Sequence, residues 1–360
     1  MGEAPEGRGP RVDQGPREKG LEAHQALIQS LYEQGRWDDY EAEVDRFDAA
    51  NPGSPFAEYE RGYLNLLRGR MDVGWRQWEA RLRAPGFVPR EKQFPQPRWT
   101  GGSFEGKTLF VVFEQGFGDT LMLVRYLPRV KALGGRVLLL VQPQFAYLMT
   151  TLEGVDEIVP FGHPIPSFDL HASLFSLPAI FGTDLDSVPA DVPYLGIPRA
   201  VPGRQELAQA LAPSHGRVRV GVAWGGNPAH PRDAQRSLPP DLLEPLAALP
   251  GVAWHSFQLG REERPPLPEL VSLAPLLKTF SDTAYALSGM DLVITVDTAL
   301  AHLAGALGIP VLLLVTWAPD FRWMLERDDS PWYPTMRIYR QPEPGAWTPV
   351  VRQLAADLTA

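Results

Sequence analysis

The 360-residue chain contains no cysteine. That absence excludes a disulfide framework, a thiolate nucleophile, and any zinc or iron–sulfur site built on cysteine. Positive charge is also short. Lys and Arg number 34 against 43 Asp and Glu, a formal net charge of −9, so the bulk basic character of a nucleic-acid binder is missing. Long apolar runs are absent too. The longest, residues 309–318, contains Pro310 and falls well below the ~20 residues that a membrane helix needs. Residues 1–20 lack the apolar core of a signal peptide and read as a disordered tail. These absences point to a soluble, cytoplasmic protein with no nucleic-acid partner and at most peripheral membrane contact.

What is present is apolar enough to fold. Hydrophobic residues make up 44% of the chain and aromatics 10%, so sizeable cores can form. Proline (37) and glycine (33) are both frequent, yet together they stay below the ~25–30% typical of low-complexity disorder. The prolines are sparse within 21–82, where Pro52 and Pro55 mark one boundary. They gather at 85–97, crowd 160–202, flank a loop at Pro228 and Pro231, and recur at 265–268 and 331–349. This pattern reads as stiffened loops around a two-domain cleft, because proline limits the freedom a loop must lose.

Residues 21–93 read as helical. Gly35-Arg36-Trp37-Asp38 returns 34 residues later as Gly69-Arg70-Met71-Asp72, the period of the tetratricopeptide helix–turn–helix unit. Asn51-Pro52 falls where such a unit ends, and Gly62 takes the small-residue position of the second copy, whereas Tyr40 and Gly74 depart from the usual alanine. An ordinary pair of helical hairpins fits the same residues. Two copies are too few to bury a continuous core alone, so they are expected to dock on the C-terminal domains or on another chain.

A turn-rich linker at 94–107 leads into alternating strands and helices. Strands are expected at 108–113, 136–141, 156–160 and 168–171, with a helix at about 119–133. The pattern restarts after a connecting segment at 199–213. Strands are then expected at 218–224, 252–259, 292–296 and 311–315, with helices at 240–249, 282–289 and 298–307. Strands alternating with helices mean parallel sheets covered on both faces. The expected fold class is therefore α/β: two Rossmann-like domains, at 108–205 and 206–345, facing a cleft, with a closing helix at 346–360.

In such sheets ligands bind beyond the carboxyl ends of the strands, where helix N-termini present free N–H groups. Three strand ends are unusual here. At Glu114-Gln115-Gly116-Phe117-Gly118-Asp119, Gly116 and Gly118 would let backbone approach a ligand. Asp119 fits either an N-cap or a functional carboxylate. No Gly-Lys-Ser/Thr comes after it, so this is not a P-loop, and the third glycine of a dinucleotide fingerprint is missing. At Trp224-Gly225-Gly226-Asn227, the turn of Gly225 and Gly226 precedes Arg232 and Arg236. The pairing fits a phosphate site, or a solvated loop. At Asp297-Thr298-Ala299, a helix start offers an anion site, and His302 shares a face with Thr298 four residues earlier. A cap and a packed core histidine are the alternative.

With EQGFGDTLMLVRYLP, VGVAWGGNPAH, RSLPPDLLEPL, VDTALAHLAGALGIPV and APDFRWMLERDDSPWYP, the chain resembles the heptosyltransferase-type glycosyltransferases of family 9. It resembles more closely the bacterial tetratricopeptide-repeat proteins that end in such a domain. The resemblance covers roughly residue 75 to the C-terminus. It implies the two-domain arrangement called GT-B, and inverting, metal-independent sugar transfer from a nucleotide-diphosphate donor. It puts Asp119 at the aspartate that takes the acceptor proton. Arg236 matches a basic donor-phosphate residue that is commonly lysine, and Asp297-Thr298-Ala299 with His302 matches a donor-binding Asp-Thr-Gly turn and its histidine. Ala299 departs from that pattern, and would be strained if the turn needs positive φ. Phe280 would stack on the nucleotide base.

The implied partners are a nucleotide-sugar donor as co-substrate, with no other cofactor, a glycan, lipid or protein acceptor, and a protein docked on the helices. Donor sugar, base and acceptor stay open. The alternatives are a non-catalytic scaffold on the same fold, a nucleotide-sugar epimerase, which would want further carboxylates, and a nicotinamide dehydrogenase, disfavoured by the missing glycine.

Overall fold

A computed structural model describes residues 20–84, 87, 93–199, 201–212, 214 and 216–359. The tail expected at 1–20 lies, but for Gly20, outside the described residues, as do parts of 85–92 and of the connecting segment near 200–215.

The chain begins with two antiparallel helical hairpins: α1 (Leu21–Glu33) with α2 (Trp37–Ala50), and α3 (Pro55–Leu67) with α4 (Met71–Trp78). The repeated Gly-Arg-x-Asp segments are the turns within the hairpins. Gly35 and Gly69 both adopt positive φ, 67° and 78°, a conformation that costs glycine little. Ser54 caps α3 by accepting the Ala57 N–H, with Pro55 at the first helical position, each a favoured choice for its place. At Gly62 a Cβ would lie 2.7 Å from the Trp78 backbone nitrogen, which is why α3 and α4 lie so close there. A 3-10 turn, Glu79–Leu82, completes the region.

Two parallel sheets come next. The first contains β1 (Thr108–Val112), β2 (Arg136–Val141), β3 (Glu157–Pro160) and β4 (Leu170–Ser173), in the order β3-β2-β1-β4. Short helices α5 (Phe117–Leu123), α6 (Leu127–Lys131) and α7 (Leu177–Ile180) accompany it. The helix expected at 119–133 is broken into α5, a 3-10 turn at Val124–Tyr126, and α6. Pro128 has no N–H for a continuous ladder. After α8 (Arg204–Leu211) comes the second sheet. Its strands are β5 (Val218–Ala223), β6 (Val252–Ser256), β7 (Val271–Ser272), β8 (Leu292–Val296), β9 (Val311–Val315) and β10 (Met336–Arg340). Its helices are α9 (Asp233–Arg236), α10 (Phe280–Leu287), α11 (Ala299–Ala306) and α12 (Trp347–Thr359). The segment expected as a helix at 240–249 is a 3-10 helix, Pro240–Ala248, with Pro245 inside it.

The second sheet runs β10-β9-β8-β5-β6-β7. Counted within that half, its strands reverse direction of succession at the first strand, as in a doubly wound sheet, and the first sheet has the same reversal. The strand order therefore reverses between β1 and β4, and between β5 and β8. Strands such as Arg136–Val141 and Val311–Val315 are buried along nearly their whole length, as expected where helices cover both faces. Among the described residues no helix is long and apolar enough to cross a membrane.

Candidate active site

The turn after β1 and the switch point between β5 and β8 open onto one cavity of about 1090 Å³. From the second half, the turn after β5 supplies Gly225, Gly226 and the segment 227–232. Gln258 clamps this turn, its Oε1 accepting the N–H groups of Trp224 (2.9 Å) and Gly225 (2.8 Å) while its Nε2 donates to the Gly225 carbonyl (3.1 Å). The two glycines are small because cations occupy the space. A Cβ on Gly225 would lie 2.3 Å from Arg261 Nε, and one on Gly226 2.4 Å from Arg236 Nη2. Arg261 pairs with Asp233 and donates to Ser237 Oγ (2.9 Å). Arg236 donates from Nη1 to the Asp297 carbonyl at 3.1 Å, and its Nε lies 3.5 Å from Asp233 Oδ1.

At the end of β8, Thr298 is the N-cap of α11 with extended backbone. Its hydroxyl makes no capping bond and its Oγ1 is buried without a partner, a cost that a ligand's donor or acceptor would remove. Burial pushes the Asp297 carboxyl above its usual range, reinforced by Asp320 and opposed by Arg236 and Arg322. Ala299 is the first residue of α11. Among described non-glycine residues only Glu269 and Met324 have positive φ, so the strain anticipated at Ala299 does not arise.

His302, one turn further, is 3% exposed. Its Nδ1 meets the Tyr333 hydroxyl at 2.9 Å, and its ring stacks on Trp323 with centroids 5.2 Å apart. Gly305 admits Tyr333, since a Cβ there would lie 2.4 Å from its ring. Burial, then Arg322 and Arg125, hold His302 well below the ordinary histidine range, so it is neutral. It also meets the first half, because a Cβ on Gly118 would lie 2.6 Å from His302 Cδ2. Gly118 thus makes room for a protein side chain.

From the first half, Gly116 is the N-cap of α5 and Asp119 its third residue. Asp119 is not the N-cap itself but reaches back, Oδ2 accepting the Gly116 N–H at 2.6 Å. Its other oxygen pairs with Arg322 of the second half. Burial raises the Asp119 carboxyl, Arg322 opposes that shift, and Asp320 adds to it. Phe280 opens α10, whose start is boxed by Thr279 and Asp282. Its ring packs against Phe145 (4.3 Å) and Phe117 (5.0 Å) between the two halves, so part of the face expected to stack on a base is already covered.

Asp119, Arg236, Asp297, Thr298, Ala299, His302, Phe280 and all four turn glycines line this one cavity. Sequence reasoning missed two further parts of its wall. Asp320, Phe321 and Arg322 enter from the segment after β9, and Tyr59, Tyr63 and Trp78 enter from the helical hairpins. The signal for the first group was the run Ala318-Pro319-Asp320-Phe321-Arg322-Trp323, which contributes to the family resemblance without marking its members as site residues. Among the described residues, no three His, Asp or Glu side chains cluster to hold a metal ion.

Residues 261–344 match the family model of glycosyltransferase family 9 (heptosyltransferase). Protein FlbA of Caulobacter vibrioides is 29% identical over 342 residues, covering 86% of this chain and 56% of that protein. The chain thus spans little more than half the length of that relative. Among solved structures, the glycosyl transferase family 9 protein of Veillonella parvula aligns with a TM-score of 0.46 at 12% identity, covering 67% of this chain and 88% of that one. The E. coli ADP-heptose lps heptosyltransferase II aligns with a TM-score of 0.44 at 12% identity, covering 70% and 100%. The stretch that contributes Phe280, the Asp297–His302 helix start and Arg322 is therefore the stretch in which this chain matches glycosyltransferase family 9.

Proposed function

We propose that the protein is an inverting, metal-independent glycosyltransferase that moves a sugar from a nucleotide-diphosphate donor to an acceptor hydroxyl. One observation carries the reading. A single cavity joins a carboxylate from one half, Asp119, to a helix N-terminus, an orphaned hydroxyl and arginines from the other. The family match at 261–344 supports it. In this reading Asp119 takes the acceptor hydroxyl's proton as the acceptor oxygen attacks the anomeric carbon. The nucleotide diphosphate departs toward the α11 amides, Thr298 and Arg236, which meet the charge that develops on it. The nucleotide-sugar is co-substrate and no resident cofactor takes part. The acceptor is a glycan, lipid or protein hydroxyl. The hairpins, read as tetratricopeptide-like, offer a docking face for a protein, and the cytoplasm is the compartment that supplies such donors.

A second reading, a non-catalytic binding protein, draws on the engagement of Asp119 by Arg322. A thermal-shift screen of the full chain against ADP-, UDP-, GDP- and dTDP-sugars tests both. One nucleotide family should raise Tm, and Arg236→Met should abolish the shift. Asp119→Asn should keep binding and lose roughly 10²–10⁴-fold in transfer rate. Binding with no transfer by the wild type leaves the second reading, and no binding at all overturns both.

A further inference from the structure

The segment after β9 joins all three parts of the molecule at Asp119. Arg322 is 7% exposed. One guanidinium nitrogen pairs with Asp119 Oδ1 and another donates to Asp320 Oδ1 at 2.6 Å, while Asp320 also accepts the Arg322 backbone N–H at 3.1 Å. The guanidinium lies 4.4 Å from the centre of the Phe321 ring. With Gly116 N–H on Oδ2, both oxygens of Asp119 are held and the carboxylate cannot rotate. The segment is itself fixed by the hairpins. Tyr32 donates its hydroxyl to the Pro319 carbonyl (2.7 Å), and Trp317 Nε1 donates to the Gln34 carbonyl (3.1 Å). Phe321 sits among Trp78 (5.2 Å), Trp75 (5.6 Å) and Tyr63 (5.7 Å).

We infer that Arg322 is a positioning residue for Asp119: anchored by the helical hairpins, it reaches across from the second half to keep that carboxylate ionised and aimed into the cavity. Without a cation, a carboxylate withdrawn this far from water would take up a proton more readily, and a protonated acid accepts none from a hydroxyl. The other charged or titratable groups around the pair are Asp320 on the same turn, Asp297 at the end of β8, and neutral His302 with Tyr333; of the nearby cations, Arg232 acts on Asp320, Arg236 on Asp297 and Arg125 on His302. Among the described residues the cation paired with Asp119 is Arg322.

The inference rests on the reading of Asp119 as the base, but its test does not need turnover. In full-length protein carrying 13C-carboxyl aspartate, the Asp119 resonance is the one lost in Asp119→Asn. Its titration midpoint should rise by about one pH unit or more in Arg322→Gln, roughly tenfold in proton affinity, and by less in Arg322→Lys. The acid limb of kcat/KM should move by the same amount. A lowered Tm with an unmoved midpoint marks a purely structural arginine and overturns the assignment. If Arg322→Gln does not fold, Arg322→Lys against wild type decides, because an ammonium lacks the fork that reaches both aspartates at once. Full transfer by Asp119→Asn would instead sink the reading of the base, leaving the titration to judge Arg322 alone.

Discussion

His302 is a titratable side chain placed where a proton is costly. It is enclosed by Trp323, Tyr333 and the backbone at Gly118, with Arg322 and Arg125 adding positive potential. The folded protein therefore keeps it neutral, whereas the unfolded chain binds a proton near the ordinary pKa of about 6.5. Its contribution is fully present above that pH and is lost as pH falls below it, at ~1.4 kcal/mol for each pH unit. Urea denaturation of wild type and His302→Gln between pH 7.5 and 5 should show a stability difference that narrows with acid. A constant difference would mean that His302 takes up its proton in the fold as readily as in the unfolded chain. At this scale the sequence was informative where chemistry is local. Asp119, Asp297, Thr298 and His302 each announce themselves by residue type at a strand end. Arg322 does not, because its partner Asp119 lies 203 residues away and no spacing rule links them.

The reversal between β1 and β4 leaves a crevice in the first sheet that in other doubly wound folds admits a ligand. Here the chain fills it. Arg81, from the 3-10 turn after α4, forks onto Glu114 at the end of β1, with Nε to Oε2 at 2.9 Å and Nη2 to Oε1 at 2.6 Å. Arg81 and Glu114 are 2% and 1% exposed, Ser173 of β4 holds the same carboxylate, and Glu79 backs Arg81 at 2.5 Å. Arg81→Met would take the forked guanidinium from a buried carboxylate and should lower stability in equilibrium unfolding, by up to about 3–5 kcal/mol. Adding Glu114→Leu should recover much of that loss, because two apolar groups of similar size need no pairing. If the double variant is as unstable as the single, the cost lies in packing and not in charge. Elements were legible where period and punctuation agree: apolar strands ending in glycine turns mark both sheets. They were less so where local geometry turns on proline, as at Pro128 and Pro245, and where a turn such as Glu79–Leu82 serves a sheet that begins only at Thr108.

At the scale of the molecule, the hairpins read in sequence as a repeat appended to two sheets, too short to bury its own core. The fold resolves that shortage by sharing a core. The buried cluster runs without interruption from Ile28 and Phe47 through Trp75 and Trp78 to Phe175, Phe321, Trp323 and Trp332. Trp78 meets Phe175 of the first half at 5.6 Å, and Trp75 meets Trp332 of the second at 6.1 Å. Gly35 is held against Trp317, where a Cβ would come within 2.3 Å of the indole nitrogen. Hairpins and sheets therefore share a buried core, and the hairpins form the third wall of the cavity through Tyr59, Tyr63 and Trp78. A chain starting at residue 94 would expose Phe175, Phe321 and Trp332 together and leave Glu114 without Arg81, and apolar patches of that kind drive association. It should be recovered as aggregate, or as a monomer that binds anilinonaphthalene sulfonate, unfolds without a sharp transition and has lost nucleotide-dependent stabilisation. Recovery of a monomer with the Tm of the full chain would show instead that the hairpins are a separate domain, and the anchoring of Arg322 through Tyr32 and Trp317 would then have to be abandoned.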